Sequence, residues 1–239
     1  MTPQINDIWV YLSASPLLGL TVTLLAYQAA FWLYRRSGMN PLANPVLIAV
    51  SILVLLLTLT ATSYETYFAG AQFVHFLLGP ATVALAIPLY TQFRRVRSLL
   101  LPVVAGLVAG SLTAALSAIA IARLFGASLP TQLSLAPKSV TTPIAMGIAE
   151  RIGGIPSLTA VLVIVTGILG AVGARWIFDA MKLRDPAIRG FAIGVASHGI
   201  GTARAFQVSE QAGAFAALAM GLNGALTALL LPLVLGWMR

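Results

Sequence analysis

Charge is what this 239-residue chain has least of: 8% of its residues are charged, against 59% apolar. A soluble domain carries about 25% charged residues, so a water-facing surface cannot be assembled from these side chains. Cysteine is absent altogether, which excludes disulfides, thiolate metal centres and cysteine nucleophiles. The two histidines, His75 and His198, are too few for a histidine-rich metal site. No HExxH pattern occurs, and Asp7, Asp179 and Asp185 fall in flanks or loops rather than as a pair inside an apolar run. No metal and no cofactor is therefore expected. What is present is hydrophobic length, with a mean hydropathy of +0.95. The chain reads as an all-α integral membrane protein, a polytopic helical bundle forming one transmembrane domain over residues 1–239. Its net charge of +8 would suggest nucleic acid in a soluble chain. Here the basic residues sit in the gaps between apolar runs, the positive-inside pattern, so membrane lipid and not nucleic acid is the expected partner.

A crossing helix needs about 20 apolar residues. Residues 16–34 form a first span ending at Arg35 and Arg36, which places the N-terminus outside. The residues before it have no basic n-region, so no cleaved signal peptide is read. Asn40-Pro41 and Asn44-Pro45 mark a turn into a second span at 45–61. Residues 67–90 can cross but are interrupted by Gly79-Pro80 and Pro88, and are followed by Arg94, Arg95 and Arg97. A Gly/Ala/Ser-rich span at 99–124, a span at 155–178 and a last span at 212–237 complete the set. A bacterial inner membrane fits this composition.

Two stretches are too polar for ordinary spans. Ala136-Pro137-Lys138-Ser139-Val140-Thr141-Thr142-Pro143 puts a lysine and three hydroxyls between two prolines. Irregular backbone at membrane depth survives only inside protein or along a wet cavity. The basic cluster Arg175, Lys182, Arg184 and Arg189 lands on the same side as Arg94–Arg97 only if residues 130–150 dip in and return, so re-entry is favoured there. Residues 189–208 are broken around Ser197-His198-Gly199-Ile200-Gly201-Thr202, and whether that piece crosses is open.

Sliding the chain by 57 residues pairs Leu78, Pro80, Arg94 and Gly110 with Leu135, Pro137, Arg151 and Gly167, and sets Thr82 on Ser139. The repeat units so defined are 78–124 and 135–181. Their full spans would run in opposite directions, an inverted repeat of the kind that builds many secondary transporters.

Lys138 is the sharpest candidate for chemistry. A midplane lysine costs about 2.5–3.5 kcal/mol on insertion scales, and a bound anion would supply its partner. Ser139, Thr141 and Thr142 would add neutral donors. The alternative is a lysine that snorkels to the headgroups. In the second knot, Ser197, His198, Gly199, Gly201, Thr202 and Arg204 bring hydroxyls, an imidazole, flexible backbone and a guanidinium suited to a carboxylate. Equally, the glycines can serve packing and Arg204 can meet lipid phosphate. His198 and Glu150 are candidates for a coupling proton, although Glu150 also reads as a solvated rim charge. Thr82 is a weaker ligand candidate; like Asn223, it reads more readily as a helix–helix bond. His75 reads as a packing histidine. Gly199-x-Gly201 follows no strand, so it is no dinucleotide loop. Adjacent Ser197 and His198 do not face one another on a helix, so they form no nucleophile–base pair. An enzyme is not expected.

The stretches Leu78-Gly79-Pro80-Ala81-Thr82-Val83-Ala84-Leu85-Ala86, Pro137-Lys138-Ser139-Val140-Thr141-Thr142-Pro143-Ile144-Ala145, Gly153-Gly154-Ile155-Pro156 and Ser197-His198-Gly199-Ile200-Gly201-Thr202 resemble the signature stretches of the LrgB/CidB family. The likeness runs from about Pro16 to Leu235. It implies two functional expectations. Bacterial members are described as holin-like or antiholin-like modulators of murein hydrolase export and autolysis. Plant plastidic relatives, in which an LrgA-like part precedes an LrgB-like part, are glycolate/glycerate translocators, and some bacterial members are linked to pyruvate uptake. The resemblance also implies a small LrgA-type membrane partner. Joined to the midplane lysine, it favours a carrier of two- or three-carbon hydroxy- or keto-acid anions working by alternating access, as a homo-oligomer, with a dimer favoured. A pore former or holin antagonist acting by oligomerisation is the alternative.

Overall fold

The computed structural model describes residues 16–236, and the expected outside position of the N-terminus, with Trp237 of the last span, lies outside them. The described residues are mainly helical, with no strand among them. Five stretches are long and apolar enough to cross a membrane: Leu17–Arg36, Tyr64–Thr91, Leu100–Leu124, Pro156–Ala180 and Glu210–Leu235. The chain divides into two compact units between Ala84 and Leu85.

The first unit holds α1 (Pro16–Arg36), α2 (Pro45–Leu59), α3 (Tyr64–Phe76) and α4 (Leu78–Ala84). Its turn forms as the Asn-Pro pairs dictate. Asn44 Oδ1 accepts from the N–H groups of Val46 and Leu47, while Pro45 fills the first helical position, where no N–H is needed. Ala26, Ala30 and Ala49 pack α1 on α2. Gly19 lets α1 approach α3, since a Cβ there would stand 2.5 Å from the Tyr67 carbonyl oxygen. The hydroxyls of Thr23 and Tyr67 bond at 2.7 Å across the same contact.

The second unit begins with the short helices α5 (Ala86–Thr91) and α6 (Phe93–Ser98). It continues with α7 (Leu100–Leu124), α8 (Leu129–Leu135), α9 (Thr142–Ile152), α10 (Pro156–Ala180), α11 (Pro186–Val208) and α12 (Glu210–Gly236). Arg95, just before α7, bonds Asp185, just after α10, at 2.6 Å. The start of α7 and the end of α10 therefore share one face of the unit, here the first face, and the two helices run antiparallel.

The intervening chain enters and returns by the opposite, second face. Ser134 of α8 accepts a hydrogen bond from Ile155 N at 2.8 Å, and its carbonyl accepts from Thr159 Oγ1 at 3.1 Å. A Cβ on Gly154 would meet Ser134 N at 3.0 Å, so that glycine permits the approach. Residues 134 and 155 thus close the base of a loop whose tip is the Pro-flanked segment 136–141. The segment is thus a hairpin, a shape compatible with the re-entry that the distribution of basic residues favours. Prolines set its helix starts and Gly153, in the left-handed region at φ 85°, ends α9.

The segment 186–208 also folds back on itself as a hairpin. Its backbone leaves helical geometry at Ser197 (φ −129°, ψ 16°) and His198 (φ 41°, ψ −133°). A Cβ on Gly201 would lie 2.8 Å from the Ile193 carbonyl oxygen, an approach that a continuous helix forbids. The outgoing arm packs parallel to α12 through Gly190 on Ala212 and Gly194 on Ala216. The returning arm packs antiparallel to it, with Thr202 near Met220 and Phe206 over Gly213. This second hairpin enters from the first face, so the two are inverted relative to one another.

The repeat of 78–124 with 135–181 is not confirmed. Residues 78–84 form the single helix α4 of the first unit, whereas the residues paired with them build the first hairpin. The matched Leu, Val and Ala positions are those that any apolar helix supplies.

Candidate functional site

The tips of the two hairpins meet at α12. Asn223, buried, donates its amide hydrogens to Ser139 O at 3.2 Å and to Val195 O at 3.1 Å. Both carbonyls are ones that a break in helical geometry sets free. A single side chain thus satisfies both tips and fixes them side by side.

A cavity of about 1050 Å³ reaches this junction. It runs between α7, α10 and the outgoing arm of the second hairpin, from Leu99 and Ile177 at the first face to Lys138, Ser139, Thr166 and Ser197 at the tips. Gly106 and Gly110 of α7 let Phe191 and Val195 close its wall. Most of the lining is apolar, so the few polar groups stand out by position.

Lys138 is half-buried there. Its Nζ lies 3.4 Å from Ser139 Oγ, and no ion pair reaches it among the described residues. Ser197 is fully buried and its Oγ has no hydrogen-bond partner among the described residues. It fits because position 170 carries no side chain: a Cβ there would stand 1.7 Å from that oxygen. Gly167, one turn earlier, likewise makes room for His198, whose Nε2 bonds Val163 O at 3.0 Å. Val163 is four residues before Gly167, so the imidazole reaches a helix carbonyl that a larger residue at 167 would cover.

The remaining sequence candidates divide. His198 is buried behind the tip and not on the cavity wall. Thr202 Oγ1 donates to His198 O at 2.8 Å and closes the first turn of the returning arm. Gly199 faces Met220, and Gly201 seats the returning arm on the outgoing one. Thr141 precedes α9 without a side-chain capping bond, and neither it nor Thr142 lines the cavity. Glu150 is exposed at the far end of α9, toward the second face. Arg204 is not at this cavity. It lines a second pocket, of about 250 Å³, with Arg175 and Arg189. The side chain of Thr82 lies outside the described residues.

Several positioning residues carried little sequence signal. Thr166 and Ser134 look like ordinary hydroxyls of apolar helices. Asn223 reads as a generic interhelical bond. The glycines at 167 and 170 are two among 21.

Relatives with established sequences cover nearly the whole chain. It is 35% identical to YxaC of Bacillus subtilis over 90% of this chain and 93% of the relative. It is likewise 35% identical to YwbG of the same organism, over 93% and 98%. Identity to a Bacillus cereus protein named antiholin-like protein LrgB is 30%, over 92% and 95%. No solved structure matches. The profile of the LrgB-like family matches residues 23–237, and on that match and these identities the chain belongs to the LrgB-like family.

Proposed function

We propose that this protein carries small organic-acid anions of the glycolate, glycerate or pyruvate type across a bacterial inner membrane by alternating access. The observation that carries this reading is Lys138. Its ammonium is half-buried where two oppositely directed hairpins meet, 3.4 Å from the Ser139 hydroxyl and on the same cavity as Ser197, whose hydroxyl has no partner among the described residues. A charge at that depth needs a counter-charge, and a carboxylate supplies one while accepting hydrogen bonds from Ser139 and Ser197. The cavity gives the path from the first face. Opposed broken segments at the midplane are the common construction of alternating-access carriers, in which one part rocks against the other. The first face carries Arg94, Arg95, Arg97, Arg175, Lys182, Arg184 and Arg189, the second Arg123 and Arg151. By the positive-inside rule the cavity faces the cytoplasm. His198 and Glu150 are the titratable groups available for proton coupling. His198 is the better placed of the two, next to the tip.

Saturable uptake of labelled glycolate or pyruvate into proteoliposomes tests this. Lys138→Met should leave the protein folded and cut uptake by a hundredfold or more, since about 3 kcal/mol of charge-assisted bonding is removed. Unchanged uptake in that variant would remove Lys138 from the site.

A second reading is favoured by the names of relatives, several of which are antiholin-like. In it the protein modulates murein hydrolase export and autolysis through assembly with copies of itself or with a small LrgA-type membrane protein. It requires no saturable substrate. A wild-type protein that moves none of these acids, yet alters lysis when expressed, would favour it.

A further inference from the structure

The second pocket belongs to neither hairpin tip. It lies near the first face, where α10, both arms of α11 and the start of α12 come together. Three arginines from three separate passes of the chain line it: Arg175, Arg189 and Arg204. Among the described residues no acidic side chain lines it. Asp179, at its edge, is already shared, bonding Arg189 and lying 3.8 Å from Arg175. Arg189 is further fixed by Leu183 O and by the Phe178 ring, 5.6 Å from its guanidinium carbon. Arg204 reaches Gln207 Oε1 at 3.3 Å. Each guanidinium has five N–H donors in a planar fork, and the bonds of Arg175 and Arg189 use only part of theirs. Below the arginines the floor is small and apolar, including Ala171, Ala174 and Ala205.

Asp179 offsets one of the three positive charges on this pocket of about 250 Å³, and the net positive charge that remains favours an anion there. The fork geometry suits tetrahedral oxyanions, which accept several hydrogen bonds at once. We infer that this pocket is a binding site for a phosphate-type oxyanion, with the headgroup of an anionic phospholipid as the occupant that its depth and apolar floor fit best. Basic pockets between membrane helices at the cytoplasmic face take such headgroups, whereas a free anion would leave the alanine floor uncovered. An occupant here joins α10 to both arms of the second hairpin. It would therefore hold that hairpin against α10, whatever the cavity carries.

The test is thermal melting of the purified full chain in a neutral detergent, titrated separately with phosphatidylglycerol, phosphatidylcholine and inorganic phosphate. Phosphatidylglycerol should raise the midpoint saturably, because a ligand that binds only the folded state stabilises it. Phosphatidylcholine should not. Arg175→Gln and Arg204→Gln should each weaken binding about fivefold, and the double variant should abolish the shift. Arg204→Lys should retain part of it, separating charge from fold. Retention of phosphatidylglycerol by wild type and variants in native mass spectrometry gives a readout independent of melting. A shift with inorganic phosphate equal to that with the lipid, and lost in the same variants, would support the oxyanion site while assigning it to a soluble anion. No shift with either anion, or a full shift in the double variant, would overturn the inference.

Discussion

His198 should reverse the usual ranking of alanine and glycine. In the interior of a helix alanine is better than glycine by about 1 kcal/mol. At the tip of the second hairpin the backbone of residue 198 stands at φ 41°, ψ −133°, outside the basins open to residues with a Cβ. Holding such a conformation costs about 1–3 kcal/mol. The wild-type side chain offsets part of this through its 3.0 Å bond to Val163 O, worth about 0.5–1.5 kcal/mol net. His198→Ala loses the bond and keeps the strain. His198→Gly loses the bond and sheds the strain. Glycine should therefore exceed alanine in stability at 198 by about 1–3 kcal/mol, and should come close to wild type. Equilibrium unfolding in mixed micelles measures both variants under one set of conditions. If alanine equals or exceeds glycine there, the tip does not hold the left-handed turn on which the hairpin depends.

Two further perturbations follow from the same packing. Gly170→Ala places a methyl group 1.7 Å from Ser197 Oγ and 2.9 Å from its Cβ. The tip must retreat, and overpacking should destabilise the protein by about 1–3 kcal/mol despite alanine's better helix propensity. Adding Ser197→Gly should recover most of that loss in melting, and a neutral Gly170→Ala would show that the tip is not seated on α10. Because the chain has no native cysteine, single cysteines report sidedness cleanly. Cysteines at Ser128 and Ser157 should label with an impermeant maleimide from one side, and cysteines at Ser98 and Arg184 from the other. Labelling of 128 and 157 from opposite sides would mean that the first hairpin crosses.

Hydropathy made the membrane spans legible because lipid imposes it without regard to neighbours. Helix α7 was expected at 99–124 and occupies Leu100–Leu124, and α10 was expected at 155–178 and occupies Pro156–Ala180. The breaks were legible because proline and glycine act locally: Pro137 and Pro143 bound one tip, and the Gly199/Gly201 pair accompanies the other. What pairs with what was less legible. Arg204 stands close to His198 in sequence and so was grouped with it. The returning arm carries residue 204 about 9 Å along the helix axis, away from the tip and into the pocket with Arg175 and Arg189. Asn223 has only Thr227, one turn on, as a polar neighbour to mark it. Its role depends on two carbonyls 84 and 28 positions away, and no local pattern encodes that.

The expense of the junction bears on what the unit does. An assembly that worked only by helix association would be served by small-residue interfaces, and α11 on α12 already has one in Gly190 and Gly194. Nothing in that role calls for a half-buried ammonium, a strained histidine and a serine oxygen without a partner within one membrane interior. Each is a cost of order 1–3 kcal/mol, and they converge on the place where the two hairpins touch. Asn223 offsets only the freed carbonyls. The hydroxyl of Ser197 and the charge of Lys138 are left to whatever enters the cavity, and on the carrier reading an entering carboxylate meets both at once. On that reading such a site would bind its ligand with energy that the empty protein has withheld, and that differential would favour one arrangement of the hairpins over the other in an alternating-access cycle.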